Sequence, residues 1–228
     1  FKILQTSDEA QAETLQQLFH IMPSSFWEDD VDYRFETRLQ FDRSWGWGTS
    51  STLVSLLAQC SVANPYDFYD ATFKGSGYDL ACATANSPIL YQLKNGKPLI
   101  QKVNFNPSFK NDLHFVYLGQ KQNSLDSISK RDLPTQDQIE RATELTQLML
   151  EAKGAATFCQ AVLEHEALLS AYLKQPSINE TIFNKYPGVT AKSMGAWGGD
   201  FVLLHCSNTN SLAQLKQDFD PVFGFNEV

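Results

Sequence analysis

The chain has 228 residues, 43% of them hydrophobic and 19% charged, the profile of an ordinary soluble globular protein of one large or two small domains. A formal net charge of −8 argues against nucleic acid or an anionic membrane as the main partner, and leaves room for a local cationic pocket. No apolar run approaches the length of a membrane span. Cys60, Cys82, Cys159 and Cys206 are scattered and form no CxxC pair. They read as buried free thiols in a reducing compartment, which points to the cytoplasm. No signal peptide is visible, but the chain opens at Phe1 rather than Met, so the natural N-terminus is expected to extend further.

Phe1 to Leu4 reads as the tail of a strand. Asp8 to Met22 carries Leu15, Leu18, Phe19 and Met22 at helical spacing, with Ser7 or Asp8 as cap and Pro23 as terminator. Tyr33 to Phe41 alternates apolar and polar residues, which predicts a half-buried strand. The glycine loop Gly46-Trp47-Gly48-Thr49-Ser50-Ser51 follows, and then the apolar helix Thr52 to Ala58. Two glycines allow close backbone approach to a ligand. Thr49, Ser50 and Ser51 stand where a helix N-terminus offers free N–H groups, hydroxyls and a positive dipole end, a place for phosphate. The alternative is an ordinary capped loop before a core helix. No Lys precedes the hydroxyl residues, which excludes a Walker A loop.

Asn64-Pro65-Tyr66 opens a short helix with Asp67 and Asp70 near its start. Lys74-Gly75-Ser76-Gly77-Tyr78-Asp79 and the small residues Ala81 to Ala85 predict a loop held tightly against other backbone. Asp79 borders a small apolar segment, where a charge needs a partner, though a turn or capping Asp is the plainer reading. Ile89 to Leu93 and Leu99 to Asn104 read as a hairpin around Lys94-Asn95-Gly96-Lys97. Pro107 to Leu113 reads as a junction, and Leu113 to Leu118 as a strand. Helices are expected over Pro134 to Ala152, Phe158 to Leu173 and Ile178 to Tyr186, with Glu164-His165-Glu166 on a solvated face. A second glycine-rich stretch, Met194-Gly195-Ala196-Trp197-Gly198-Gly199-Asp200, precedes the buried strand Phe201 to Cys206. Leu212 to Phe219 and Val222 to Phe225 close the chain as a helix and an edge strand. The pattern is α+β.

In this order and at these distances the three glycine loops resemble those of the GHMP kinases, the family of galactokinase, homoserine, mevalonate and phosphomevalonate kinases. Gly77-Tyr78-Asp79-Leu80-Ala81 is similar to the Gly-Tyr-Asp-Ile-Ala of a bacterial subgroup. Gly46 to Ser51 resembles the family's Gly-Leu-Gly-Ser-Ser-Ala loop, with Trp47 for Leu and Thr49 for Ser. Ser193 to Asp200 resembles the third motif in its phosphomevalonate-kinase form. Lys121-Gln122-Asn123-Ser124 is similar to a Lys-Gln-Ser-Ser stretch of the same enzymes. The family's first motif, with its Lys, has no counterpart before Gly46.

The resemblance implies a two-domain GHMP kinase fold with the active site in the cleft between domains. The first part, residues 1–108, would be ribosomal protein S5 domain 2-like, bind ATP and be incomplete at its start. The second, residues 109–228, would be ferredoxin-like. It implies an ATP- and Mg²⁺-dependent kinase acting on a small-molecule substrate, with mevalonate or 5-phosphomevalonate favoured, as a monomer or homodimer. Asp79 would be the catalytic residue. Gly46, Gly48, Thr49, Ser50, Ser51, Gly195, Ala196, Gly198 and Gly199 would hold the ATP phosphates, Ser50 and Asp70 the metal, and Lys121 the substrate. Lys192 and Arg131 are further cations for a phosphorylated acceptor. Two alternatives stay open: a diphosphomevalonate decarboxylase-like enzyme, and a nucleotide-binding module without catalysis.

Overall fold

The computed structural model describes residues 2–73, 75–119, 133–195 and 200–228. These form two compact units, Phe1–Arg43 with Trp47–Asn104, and Ser44–Gly46 with Phe105–Val228.

The first unit is built on helices α1 (Glu9–Ile21), α2 (Thr49–Cys60), α3 (Pro65–Thr72) and α4 (Tyr78–Thr84). Asp8 caps α1 by accepting from the Gln11 N–H at 3.1 Å, and Asn64 caps α3 by accepting from the Tyr66 N–H at 3.1 Å. The four helices share one core of Leu18, Met22, Val54, Leu57, Ala58, Phe68, Tyr69 and Leu80. Strands β1 (Ile89–Lys94) and β2 (Lys97–Lys102) form an antiparallel hairpin. Its turn places Asn95 at φ 53° and Gly96 at φ 72°, the left-handed pair that a two-residue hairpin turn requires.

Neither Phe1–Leu4 nor Tyr33–Phe41 forms a strand among the described residues. The alternation over 33–41 has a different physical cause. Tyr33 and Phe35, two residues apart, both lay their rings on a cluster with Phe19, Phe26 and Trp27. The Tyr33 hydroxyl ties the same cluster together, accepting from the Glu28 N–H at 2.8 Å and donating to the Phe26 carbonyl at 3.1 Å. A period of two therefore reports an extended segment bound by its aromatic side chains, without a ladder partner.

The second unit is a four-stranded antiparallel sheet of β3 (Leu113–Tyr117), β4 (Val189–Ser193), β5 (Phe201–Cys206) and β6 (Val222–Gly224), in the order β4-β5-β3-β6. Helices α5 (Gln136–Glu151), α6 (Ala155–Leu173) and α7 (Ile178–Thr181) connect β3 to β4, and α8 (Thr209–Asp218) connects β5 to β6. Strand, helices, strand, strand, helix, strand in this order is the ferredoxin-like arrangement expected for the second part. One core contains Val116, Phe183, Ala191, Val202, Leu204 and Leu215, and another contains Phe109, Leu113, Phe158 and Val162.

Some sequence expectations change here. β4 occupies Val189–Ser193, where Val189 and Ala191 are the only apolar residues, too few for alternation to mark a strand. Ile178 to Tyr186 splits into the short α7 and a 3₁₀ turn, Phe183–Lys185. The small residues after Gly77 form α4, because Leu80 and Ala81 bury one helical face in the core. All four cysteines are free, but Cys60 and Cys82 are exposed, Cys159 is half-buried and only Cys206 is buried. An apolar stretch of sequence does not say which helical face a thiol occupies.

The second unit carries a pH dependence. Desolvation lowers the His165 pKa from 6.5 to about 4, with the Lys192 charge acting in the same direction and Glu166 opposing it. His114 and His205 are also lowered, each mainly by burial. A histidine whose pKa is depressed on folding is protonated first in the unfolded chain. Stability is therefore full above about pH 6.5 and is lost as pH falls toward about 4. After discounting for partial exposure, His165 alone contributes on the order of 2 kcal/mol to this loss. Melting temperatures measured across that window should fall in the parent protein and fall less steeply in His165→Gln. Equal slopes would contradict the assignment.

Candidate functional site

Gly48 takes φ +68° and ends the loop as the N-cap of α2, with no side chain capping the helix. Its carbonyl accepts from the Thr52 N–H at 2.9 Å, so helical bonding begins there. The N–H groups of Thr49, Ser50 and Ser51 thus belong to the first turn, where the helix has no carbonyl to offer them. Ser50 is exposed, Thr49 half-buried and Ser51 buried. This end of α2 has the polarity and open donors that an anion requires.

Gly46 sits differently. It also takes φ +68°, but it belongs to the second unit with Ser44 and Trp45. The Trp45 ring packs edge-on against Phe201 and Phe223, with centroids 5.9 and 5.3 Å away, and the Ser44 carbonyl accepts from the Tyr117 hydroxyl at 3.2 Å. A Cβ on Gly46 would lie 2.2 Å from Asp200 Oδ2. The Asp200 carboxylate therefore occupies the space a side chain at position 46 would need. Asp200 itself takes φ +49°, and its carbonyl accepts from the Leu118 N–H at 2.7 Å.

Asp79 lies in the first turn of α4, whose N-cap Gly77 takes φ +73°. Leu80 and Ala81 anchor the helix in the core, while Asp79 remains on the accessible side. The Ser55 hydroxyl ties α2 to α4 by donating to the Ala83 carbonyl at 3.3 Å. Tyrosines surround the loop before α4. Tyr91 donates its hydroxyl to the Ser76 carbonyl, and its ring packs edge-on against Tyr78 at 5.7 Å. Cβ atoms built on Gly75 and Gly77 would come within 3.1 Å of the Tyr69 hydroxyl and 3.2 Å of Tyr66 Cε1. Only glycine fits this enclosure at positive φ.

Desolvation raises the Asp79 carboxyl above the ordinary carboxylate range, although the residue keeps solvent access. Tyr69 is raised first by burial and then by the negative charges of Asp79 and Asp70, with the Gly77 backbone opposing. Both carboxylates thus lie within electrostatic reach of one tyrosine. Burial and the neighbouring Cys82 and Asp79 push Tyr78 up to about 12. Asp70 is exposed on α3. Ser50 and Asp70 offer a hydroxyl and a carboxylate oxygen, hard donors of the kind that Mg²⁺ takes alongside phosphate oxygens and water. No group of three or more His, Cys, Asp or Glu residues forms a metal cluster among the described residues.

Gly195 follows β4 at φ +58°, with open space where a Cβ would point. Ala196, Trp197, Gly198, Gly199, Lys121 and Arg131 lie outside the described residues. Lys192, expected as a cation for a phosphorylated acceptor, instead has its ammonium 3.0 Å from Glu166. Glu166 is itself 1% exposed, so the expected solvated face around His165 is not observed there. Sequence reading missed Tyr69 and Tyr91 beside the Asp79 loop, and Glu166 beneath β4. The Tyr66 and Tyr69 spacing on α3 was the only signal available for the first group.

No protein-family model and no curated protein matches this sequence. Solved structures do. Streptococcus pneumoniae phosphomevalonate kinase in complex with phosphomevalonate and AMPPNP superposes with a TM-score of 0.68 at 16% identity, over 95% of this chain and 80% of that one. L. major mevalonate kinase in complex with R-mevalonate gives 0.55 at 17% identity, over 75% of this chain and 60% of that one. A Lin0012 protein from Listeria innocua gives 0.60 at 13% identity, over 95% and 77%. No described helix is long and apolar enough to cross a membrane. This chain has the mixed α and β fold of the GHMP kinases.

Proposed function

We propose that this chain is a GHMP-type small-molecule kinase that transfers the γ-phosphoryl group of ATP to a hydroxyl or phosphate acceptor. Mevalonate and 5-phosphomevalonate are the favoured acceptors. The observation that carries this reading is Asp79. It is a carboxylate of raised basicity at the start of α4, on the same helical unit as the uncapped, hydroxyl-lined N-terminus of α2. The fold shared with mevalonate and phosphomevalonate kinases supports it.

Phosphoryl transfer depends mainly on positioning and on neutralising charge. In this reading residues 1–108 form the ATP-binding domain and residues 109–228 the second domain. The first-turn N–H groups of α2, with Gly46, Gly48, Thr49 and Ser51, hold phosphate oxygens. The Ser50 hydroxyl and the Asp70 carboxylate would hold Mg²⁺, which when bound would neutralise charge on the phosphates. Asp79 takes or orients the proton of the attacking oxygen, a role its raised pKa suits. Gly195, Ala196, Gly198 and Gly199 complete the phosphate site, and Lys121 meets an acidic group of the acceptor. The protein acts in the cytoplasm as a monomer or homodimer.

Titration calorimetry with Mg²⁺·ATP tests the nucleotide part of this reading. The parent protein should bind, and Ser50→Ala should bind about tenfold more weakly, since one hydroxyl ligand is lost. An unchanged affinity would show that the phosphate loop has been misplaced. No binding by the parent chain would overturn the reading.

A further inference from the structure

The third glycine loop leaves β4 at Ser193, and a single enclosed carboxylate holds that exit. Glu166 Oε1 accepts from the Ser193 backbone N–H at 3.1 Å and from Lys192 Nζ at 3.0 Å, while Oε2 accepts from the Ser193 hydroxyl at 2.8 Å. Lys192 Nζ also donates to the Ser193 carbonyl at 2.7 Å. Glu166 is 1% exposed, and the Lys192 side chain 18%. A carboxylate this deep is costly unless every oxygen is bonded, so the network is tightly specified. Among the described residues β4 is an edge strand paired only with β5, and the ladder leaves its outward N–H groups to be satisfied elsewhere. At Ser193 that donor is taken by α6. Two residues later the chain turns at Gly195, φ +58°.

We propose that Glu166 is a positioning residue for the end of β4, fixing where and in which direction the strand delivers the chain to Met194 and Gly195. The anchor is a local property of the second unit. Its consequence for ligand binding rests on the kinase reading above.

The test compares Glu166→Leu, which fills similar space without acceptors, with Glu166→Gln, which can still accept from Lys192 and Ser193. A double variant, Glu166→Leu with Lys192→Met, removes the stranded ammonium and keeps a folded reference should the single variant fail to fold. Two quantities are measured: amide exchange at Ser193 by NMR, and Mg²⁺·ATP affinity. Removing the acceptors should speed Ser193 exchange by about tenfold or more, with β5 amides unchanged. It should also weaken nucleotide binding by about fivefold or more. Glu166→Gln should restore most of both. Unchanged Ser193 exchange, or exchange raised equally along β5, overturns the anchor. Faster Ser193 exchange with parental nucleotide affinity overturns the positioning role. If the parent protein binds no nucleotide, the kinase reading fails, and the exchange comparison decides the anchor by itself.

Discussion

Asp79→Asn should lower turnover by at least about a hundredfold while leaving Mg²⁺·ATP affinity within about threefold of the parent value. Asparagine keeps the shape of the side chain and removes its ability to take a proton. Nothing else at the start of α4 should move. Gly77 keeps its left-handed conformation, the Tyr91 hydroxyl keeps its bond to Ser76, and Leu80 and Ala81 stay buried. Because burial raises the Asp79 carboxyl, the substitution also removes a partly desolvated charge, so the variant should melt no lower than the parent. Lost turnover with preserved affinity and stability is the signature of a group that acts on the reacting atoms. Parental turnover would remove Asp79 from the chemistry.

Gly46→Ala and Gly48→Ala should separate two demands that sequence alone presents as one motif. Both glycines take φ +68°, so alanine at either position costs about 1–2 kcal/mol of backbone strain. At Gly48 nothing lies within 4 Å of the added Cβ, and strain is the whole cost. At Gly46 the added atom would meet Asp200 Oδ2 at 2.2 Å and Cγ at 2.4 Å, so the carboxylate must be displaced as well. The total there should reach about 3 kcal/mol. Urea unfolding followed separately for each variant measures the difference. Equal losses would mean that Asp200 yields freely and does not define the loop.

Helices with caps, the Asn95-Gly96 hairpin and the buried strand Phe201 to Cys206 were legible in the sequence, since each rests on local chemistry. Tyr33 to Phe41 was misread because alternation records only which side chains share a face. It does not record whether the backbone has a ladder partner, and here aromatic packing supplies the face. That Gly48, Ser50 and Asp79 stand at helix starts was legible, because glycine and hydroxyl residues there carry their reason locally. Glu166 was not. Preceded by Glu164 and His165, it looks solvated, and its burial depends on Lys192 and Ser193, more than twenty positions away. The Lys192 ion pair is hidden for the same reason, because Glu166 is a partner that periodicity cannot identify. Asp200 against Gly46 is likewise a tertiary fact, made by residues far apart in the chain.

The central claim, phosphoryl transfer from ATP, is tested most directly by mass spectrometry of acceptors. The protein is incubated with Mg²⁺·ATP and, one at a time, mevalonate, 5-phosphomevalonate, 5-diphosphomevalonate, homoserine and several sugars. The account predicts the mass of one added phosphate on mevalonate or 5-phosphomevalonate, absent with Asp79→Asn. Loss of CO₂ from 5-diphosphomevalonate would contradict it in favour of decarboxylation. No product from any acceptor, with ATP still bound, would contradict it in favour of a nucleotide-binding protein without catalysis.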